Sequence, residues 1–260
     1  AKTLTPGTLR NYGMMLKQYL NHWLDRPIRQ VTRQEVMNLH TEISRERKPT
    51  ANRVLSMFGA LWNWASATYR DVNDERFLKE NPVKVLSETQ TWHKRNRRTK
   101  VLNANQIRKF WKACDTLKKK SNSYHVGTNY YKCLLLCGMR STALRMLDNE
   151  GTLGSKLIHD NQGMEWTNKN QDYTYMPFSE LCWELIMETS LISKNPFVFG
   201  SPFKETPYSH SHMVFLADDI SEITGFDFCR HDLRRTFLTL GEELDINMVT
   251  LKRLAGHRFD

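Results

Sequence analysis

Residues 229–260, CRHDLRRTFLTLGEELDINMVTLKRLAGHRFD, place two histidines and several arginines on what reads as two short amphipathic helices. Apolar residues recur every three or four positions along the first of them and predict its buried face: Leu233, Phe237, Leu240 and Leu244. His231 and Arg234 then lie one turn apart on one face, where both can reach a single oxyanion. The second helix is predicted to end at a left-handed Gly256, with His257 immediately after it. The stretch therefore allows an anion-binding site on the protein's own helices; the alternatives are a structural histidine and solvated arginines.

The length of 260 residues allows one large domain or two of ordinary size. No apolar run approaches the roughly 20 residues of a membrane helix, and the first residues do not resemble a signal peptide, so we expect a soluble, cytoplasmic protein without a membrane partner. The five cysteines contain no Cys-x-x-Cys pair, so we expect reduced, mostly buried thiols. His210 and His212 lack a third metal ligand at suitable spacing and are predicted to be surface residues.

Positive charge is concentrated in the first part of the chain. Residues 1–100 contain 19 Lys and Arg against 9 Asp and Glu, whereas residues 101–260 contain 19 of each. This asymmetry indicates a polyanionic partner for the first part, and nucleic acid is favoured over a membrane surface because no basic amphipathic anchor is evident. A basic surface that is merely solvated is the alternative.

The pattern of the chain predicts a mainly α fold with two domains. Residues 1–87 are predicted to be all-helical, with helix starts at Thr5 and Thr32. Residues 88–100 are predicted to be a basic linker that can follow a phosphate backbone, although a solvated tether fits the same charges. Residues 101–260 are predicted to form an α+β domain with a small sheet.

Local signals in the second domain are of two kinds. Asn103 and Gln106 predict a capping box at the start of a helix. Residues 163–179 alternate with a period near two on either side of an Asn-Lys-Asn turn, which predicts a β-hairpin. A further short strand is predicted at residues 196–201, PFVFGS.

The motif H-x-L-R-R-T-F at residues 231–237, followed by L-A-G-H at 254–257, resembles the signature of the tyrosine recombinases, the phage integrase family. LLLCGMRSTALRML resembles the family's first arginine motif with Arg140, and NKNQDYTYMPF resembles its hairpin lysine motif with Lys169, eight residues before Pro177. The first domain, with LTPGTLRNY and PTANRVLSMFGALWNWA, is similar to the family's helical core-binding domain. The resemblance covers nearly the whole chain.

The resemblance implies a catalytic site of five residues: Arg140, Lys169, His231, Arg234 and His257. Arg140 and Arg234 would clamp the non-bridging oxygens of a DNA phosphate, and His257 would donate a further hydrogen bond to it. His231 would accept a proton or orient the phosphate, and Lys169 would protonate the leaving 5′ oxygen. Preformed donors of this kind stabilise the transition state by about 100- to 1000-fold each. No metal or other cofactor is implied.

The same resemblance implies a site-specific DNA recombinase that cuts and rejoins DNA through a 3′-phosphotyrosyl intermediate, for integration or excision of a phage or other mobile element. Its implied partners are double-stranded DNA with a specific site, three further copies in a homotetramer on synapsed DNA, and accessory DNA-bending proteins. Its implied location is the cytoplasm of a bacterial or phage-infected host cell, at the nucleoid. The basic residues expected to bind DNA are Arg10, Lys17, Arg53, Lys94, Arg95, Arg97, Arg98 and Lys100.

Two positions depart from the family pattern. The acidic residue that often follows the first arginine by three positions is replaced by Ala143, so Arg140 needs support from another group. The family's nucleophilic tyrosine lies roughly two to three helical turns beyond the second histidine, but the last of the nine tyrosines here is Tyr208. The resemblance therefore implies a chain truncated before its nucleophile.

Two other functions fit the same residues. One is a DNA-binding relative without catalysis, and a nucleophilic tyrosine after residue 260 would separate it from an enzyme. The other is a type IB topoisomerase, which uses similar phosphate chemistry to relax supercoils. An assay of two-site recombination against relaxation separates that enzyme from a recombinase.

Overall fold

The computed structural model describes residues 4–78, 80–94, 96, 98–167 and 173–256. The chain divides into two units, Ala1–Arg97 and Arg98–Asp260. In its described residues the first unit is helical, apart from a single bridge between Arg70 and Arg76. The second unit combines helices with a four-stranded sheet. The predicted fold class, mainly α with a helical first part and an α+β second part, is confirmed.

The helices of the first unit are α1 (Pro6–Tyr19), α2 (Arg33–Thr68) and α3 (Val85–Glu88). Their starts follow from side chains that satisfy free backbone N–H groups. The hydroxyl of Thr5 accepts the N–H of Thr8 at 3.3 Å. Thr32 and Glu35 form the predicted capping box, with reciprocal bonds of 3.2 and 2.8 Å.

Helix α2 is broken at Arg47, whose backbone angles are φ −145° and ψ 84°. Pro49 follows two residues later, and a proline inside a helix removes one N–H donor and clashes with the carbonyl four residues earlier. Helix α2 is therefore two consecutive helical segments. The second segment supplies much of the unit's core: Ala51, Val54, Leu55, Met57, Phe58, Trp62 and Ala65.

Part of the segment predicted as a linker packs on the first unit. Trp92 lies against the apolar core of that unit, and the ring of His93 stacks on the buried His40 with centroids 4.8 Å apart. The amide of Asn52 donates to the carbonyl of His93 at 2.8 Å and its oxygen accepts the N–H of His93 at 3.3 Å. The chain is thus held to the first unit as far as His93.

The helices of the second unit are α4 (Ala104–Leu117), α5 (Asn122–Cys137), α6 (Ser141–Arg145), α7 (Glu180–Ser193), α8 (His210–Thr224), α9 (Arg230–Glu243) and α10 (Met248–Leu254). The strands are β1 (Leu147–Asp148), β2 (Ser155–Ile158), β3 (Gly163–Thr167) and β4 (Tyr173–Pro177), in this order across the sheet. Strands β1 and β2 are parallel, and the other two pairs are antiparallel. Strands β3 and β4 form the predicted hairpin, whose turn lies outside the described residues.

Helix α5 is the centre of the second unit and packs against α4, α7, α8 and α9. Its Tyr130 and Tyr131 are fully buried. Helix α4 begins at the predicted capping box of Asn103 and Gln106. Helix α5 is therefore the scaffold that positions the start of α6 and the start of α9.

The prediction of a strand at residues 196–201 is wrong. Only single bridges occur there, from Phe197 to Asp148 and from Gly200 to Pro207. The segment lies beside β1, and β1 is two residues long, so it offers no ladder that a strand could extend.

The apolar stripe predicted for α9 is buried only at its start. Leu233 is fully buried, whereas Leu240 is 36% exposed and Leu244 is 74% exposed. The last turn of α9 borders an open apolar groove together with Ile107 and Trp111, and no helix of the described chain fills that groove.

All five cysteines are unpaired, and only Cys229 is not buried. Within the described ranges, no group of His, Cys, Asp and Glu side chains has the arrangement of a metal site. No helix in that part of the chain has the length and apolar character needed to cross a membrane.

Candidate active site

Helix α9 positions His231 and Arg234 in its first turn and a half. The carboxylate of Asp232 accepts the N–H of Cys229 at 2.9 Å and fixes the helix start. Leu233 anchors the helix in the core. His231 is exposed, and Arg234, 6% exposed, lies one turn further along the same side.

A left-handed glycine brings Arg140 to α9. Gly138 ends α5 with φ +59°, and a Cβ at this position would lie 2.2 Å from the ring of Phe237. Only glycine adopts this conformation in such a tight space without strain. The carbonyl of Gly138 accepts Nη1 of Arg234 at 2.8 Å, and the chain then enters α6 through Arg140, its N-cap residue. One turn thus links the two arginines.

Arg140 is held by a second left-handed glycine. Its Nη1 donates to the carbonyl of Gly256 at 2.7 Å, and Gly256 has φ +62° directly after α10. A Cβ on Gly256 would lie 2.4 Å from Cζ2 of Trp166 in β3. Ala143, where the family often has an acidic residue, packs against the core, so the carbonyl of Gly256 supplies the support that Arg140 needs.

Two of the five predicted catalytic residues, Lys169 and His257, lie outside the described residues. Their described neighbours in sequence are nevertheless close to each other. His257 follows Gly256, and Lys169 is three positions after Trp166, the residue that Gly256 contacts. Among the described site residues, the structure brings together Arg140, His231 and Arg234, which we call the first cluster.

The first cluster is a concentration of positive charge. Burial and the nearby Arg140 lower the pKa of Arg234 to about 10. The pKa of His231 is lowered from 6.5 by the partial burial of its otherwise exposed ring and by Arg235, Arg234 and Arg140, with Asp232 acting in the opposite direction. Among the described residues, no carboxylate forms an ion pair with Arg140 or Arg234. The arrangement can therefore bind an anion while His231 is a neutral imidazole near pH 7.

The basic residues expected to bind DNA are mostly exposed. Arg10, Lys17, Arg53, Lys94, Arg98 and Lys100 are all exposed, and Arg95 and Arg97 lie outside the described residues. Arg10 and Lys17 are seven residues apart on α1 and so share one face. Lys100 differs from the others, because its amine donates to the carbonyl of Asp227 within the second unit.

Sequence reasoning missed a role for Arg235, the second arginine of the LRR motif. Its guanidinium bonds the buried carboxylate of Asp232, and its Nε donates to the carbonyl of Lys100 at 3.3 Å. Thr236 adds a second tie, since its hydroxyl accepts the N–H of Leu102 at 2.9 Å. The i, i+3 spacing of Asp232 and Arg235 on a predicted helix was the available signal.

Three comparisons with known proteins bear on this arrangement. Residues 1–68 match the family described as Phage integrase, N-terminal SAM-like domain. No curated protein matches the sequence.

Solved structures match over most of the chain. A lambda integrase tetramer bound to a Holliday junction has 17% identity and a TM-score of 0.74, over 100% of this chain and 74% of that one. The Tn1549 transposon integrase (residues 82–397) with circular intermediate DNA has 14% identity and a TM-score of 0.71, over 99% and 88%. The XerH site-specific recombinase in its pre-cleavage complex has 15% identity and a TM-score of 0.66, over 88% of this chain and 65% of that one. The chain thus spans about two thirds of XerH. By these findings residues 1–68 are similar to the phage integrase N-terminal SAM-like domain, and the chain has the fold of the tyrosine recombinases.

Proposed function

We propose that this chain is the core-binding and catalytic part of a site-specific DNA recombinase, an integrase of a phage or other mobile element. One observation carries the proposal. Arg140 and Arg234, about ninety positions apart in sequence, are joined through one turn at Gly138, and His231 lies beside them. Their positive charge has no carboxylate partner among the described residues. Such a cluster suits a phosphodiester that gains negative charge during its displacement.

Each residue of the first cluster has a distinct task in that reaction. Arg140 and Arg234 bind the two non-bridging oxygens and stabilise the pentacovalent transition state. His231, neutral near pH 7 because of its lowered pKa, accepts a proton from the attacking hydroxyl or orients the phosphate. Lys169 and His257 belong to the same proposal as general acid and as a further hydrogen-bond donor.

The attacking group is proposed to be a tyrosine, which forms a 3′-phosphotyrosyl link and conserves the energy of the broken bond. Tyr130 is poorly suited to that role, since it is fully buried and burial raises its pKa to about 12. Its hydroxyl instead donates to the carbonyl of Ser141, beside Arg140. It therefore serves to hold the start of α6.

The partners belong to the proposal as well. Duplex DNA would contact the exposed basic residues of the first unit and of residues 94–100, and four copies would assemble on two synapsed sites, with accessory DNA-bending proteins as further partners. The lambda integrase and XerH structures are described as DNA complexes, one of them a tetramer, and this supports the assignment.

The test compares cleavage with binding in the natural protein. Duplexes enriched from a random-sequence pool supply the substrate, and nicked versions trap a covalent adduct on a denaturing gel. Arg140→Ala and Arg234→Ala should each lower the cleavage rate by about 100- to 1000-fold, because each removes a donor that acts on the transition state. Binding should weaken only by the share of one phosphate contact, far less than cleavage does, since each arginine is one of many phosphate contacts.

Arg108→Ala is the matched control, because Arg108 is an exposed arginine on α4 of the same unit. Equal losses of binding and cleavage would contradict the proposal. Binding without any adduct from the natural protein would indicate a DNA-binding relative, and relaxation of plasmid without joining of two sites would indicate a topoisomerase.

A further inference from the structure

Helix α9 carries another arginine on the face that holds Arg234. Arg230 is the first residue of the helix, and residues four apart lie on the same side. The two positions are separated by about 6 Å along the helix axis. This is longer than the ~3.4 Å axial rise per phosphate of one DNA strand, so the two guanidiniums can reach neighbouring phosphates.

Arg230 is joined to the start of α8. Its Nη2 lies 2.7 Å from Nε2 of His210, the first residue of that helix. A guanidinium can only donate, so Nε2 of His210 accepts and the imidazole is neutral. The positive charge of Arg230, followed by burial and the charge of Arg145, lowers the pKa of His210 and favours this neutral form.

Arg145 approaches the same place from the end of α6. It is half-buried, and its Nη1 donates to the carbonyl of Tyr208. Both Arg230 and Arg145 act on the phenol of Tyr130, where their charges oppose the effect of burial on its pKa. Since Tyr130 bonds the carbonyl of Ser141, this second group of cations is connected to the residue after Arg140.

These cations have no internal counter-charge in the part of the chain that the structure describes. No carboxylate there forms an ion pair with Arg145 or Arg230, although other arginines, such as Arg26 and Arg33, are paired. Half-buried guanidiniums without a carboxylate partner are unfavourable unless an anion binds to them. Each guanidinium has five N–H donors, and the contacts named here use only one or two of them.

We propose that Arg145, His210 and Arg230, the second cluster, form an anion site for the DNA phosphate next to the one that the first cluster holds on the same strand. This inference rests on the proposed function, because it takes the first cluster to hold the reacting phosphate. Arg145 and Arg230 supply the donors, and His210 holds Arg230 in place through its ring nitrogen. The site would fix the register of the strand before cleavage.

The first test measures the salt dependence of binding to a fluorescein-labelled duplex enriched from a random-sequence pool. One phosphate neutralised contributes a slope of about −0.9 to log K against log salt. The double substitution Arg145→Ala/Arg230→Ala should reduce the slope by about 0.9, because both arginines share one phosphate. Arg108→Ala, an exposed arginine on α4, should leave the slope unchanged.

An unchanged slope in the double variant would overturn the proposal, and so would a loss of about 1.8, since two separate phosphates would then be involved. Arg230→Lys retains the charge and should retain the slope. If the double variant does not give the circular dichroism of the folded protein, Arg145→Gln and His210→Ala alone carry the same test. Each should lower the slope, by no more than the ~0.9 of one phosphate, and an unchanged slope in both would overturn the proposal.

The second test locates the phosphate. A neutral methylphosphonate replaces one phosphate at a time in the enriched duplex. A methylphosphonate at the phosphate that an arginine contacts should weaken binding by the wild type but not by the corresponding alanine variant. The position found in this way for Arg230→Ala should be adjacent to the position found for Arg140→Ala. The same position for both variants would overturn the second site. Loss of covalent adduct formation, with this map intact, would instead contradict only the recombinase function.

Discussion

At the scale of single residues, the site consists of cations that the described chain does not neutralise. Arg234 is buried and lies near Arg140, and among the described residues its guanidinium bonds only the carbonyl of Gly138, which leaves its other N–H groups for a ligand. Its pKa, lowered to about 10, still keeps it charged at neutral pH. Under the proposed function, a bound phosphate would offset this crowding of positive charge.

His231 gives the site a pH dependence that can be measured on stability. Its pKa in the folded protein is below the ordinary 6.5 because of burial and the nearby arginines. The unfolded chain therefore binds a proton first as the pH falls below about 6.5, and the free energy of unfolding decreases from there down to the lowered pKa. We expect His231→Gln to lose less stability than the wild type between about pH 7 and about pH 5.

Urea unfolding at the two pH values measures this difference. The pKa values of His93, His210 and His212 are also lowered, so both proteins should still lose stability in acid. The comparison isolates His231, since the other three are shared. An identical pH dependence in the two proteins would show that the His231 ring is not held among cations.

At the scale of elements, one face of α9 carries cations and another face bonds the segment that enters the second unit. Arg230, His231 and Arg234 form the cationic face. Asp232, Arg235 and Thr236 hold residues 100–102 where the chain enters the second unit. A change in the path of those residues therefore acts directly on the helix that carries the first cluster.

Arg235→Ala should release the chain around Lys100. The variant loses the bond from Nε to the carbonyl of Lys100 and the ion pair with Asp232. We expect trypsin to cut after Lys100 faster than in the wild type, because a protease needs a locally released backbone. Cleavage after Lys94, an exposed residue on the first unit, is the internal control and should keep its rate. Equal rates after Lys100 in both proteins would refute the anchoring role.

Gly256→Ala should displace Arg140. The substitution adds the strain of a left-handed alanine, about 1–3 kcal/mol, and a clash with Trp166. The carbonyl that holds Arg140 then moves, so cleavage should fall by more than the loss of stability explains. Gly225→Ala is the matched control, because Gly225 has φ +73° but open space around its Cβ. Thermal unfolding and adduct formation are measured on both variants, and equal effects on cleavage would contradict the prediction.

Local sequence signals predicted the elements better than they predicted the surroundings of the site. Capping at Thr32 and Asn103 depends on residues three positions apart, so it could be read from the sequence. The motifs that resemble the recombinase family singled out Arg140 and Arg234, and the structure places these two arginines close together. The second cluster could not be predicted, because Arg145, His210 and Arg230 meet only through tertiary packing. The exposed end of α9 was mispredicted for a related reason, since helical periodicity does not show whether a neighbour covers the stripe.

At the scale of the whole molecule, the excess positive charge and the candidate site lie in different parts of the chain. The excess of basic residues lies in residues 1–100, whereas the rest is balanced. In the described chain, Arg10, Lys17 and Arg53 have no carboxylate partner, while Arg33 of the same unit pairs with Glu80 and Glu88. The unpaired residues are thus suited to phosphate contacts that hold DNA without entering the reaction.

The triple substitution Arg10→Gln/Lys17→Gln/Arg53→Gln should weaken DNA binding and leave cleavage by the bound complex unchanged. Each lost phosphate contact should reduce the slope of log K against log salt by about 0.9. The rate of adduct formation at saturating protein should match the wild type, because these side chains are not part of the first cluster. Arg33→Gln is the matched control, since its charge is already balanced by two carboxylates and its loss should leave the slope unchanged. A wild-type slope in the triple variant would show that these charges are only solvated, and a lower saturated rate would show that the first unit contributes to the chemical step itself.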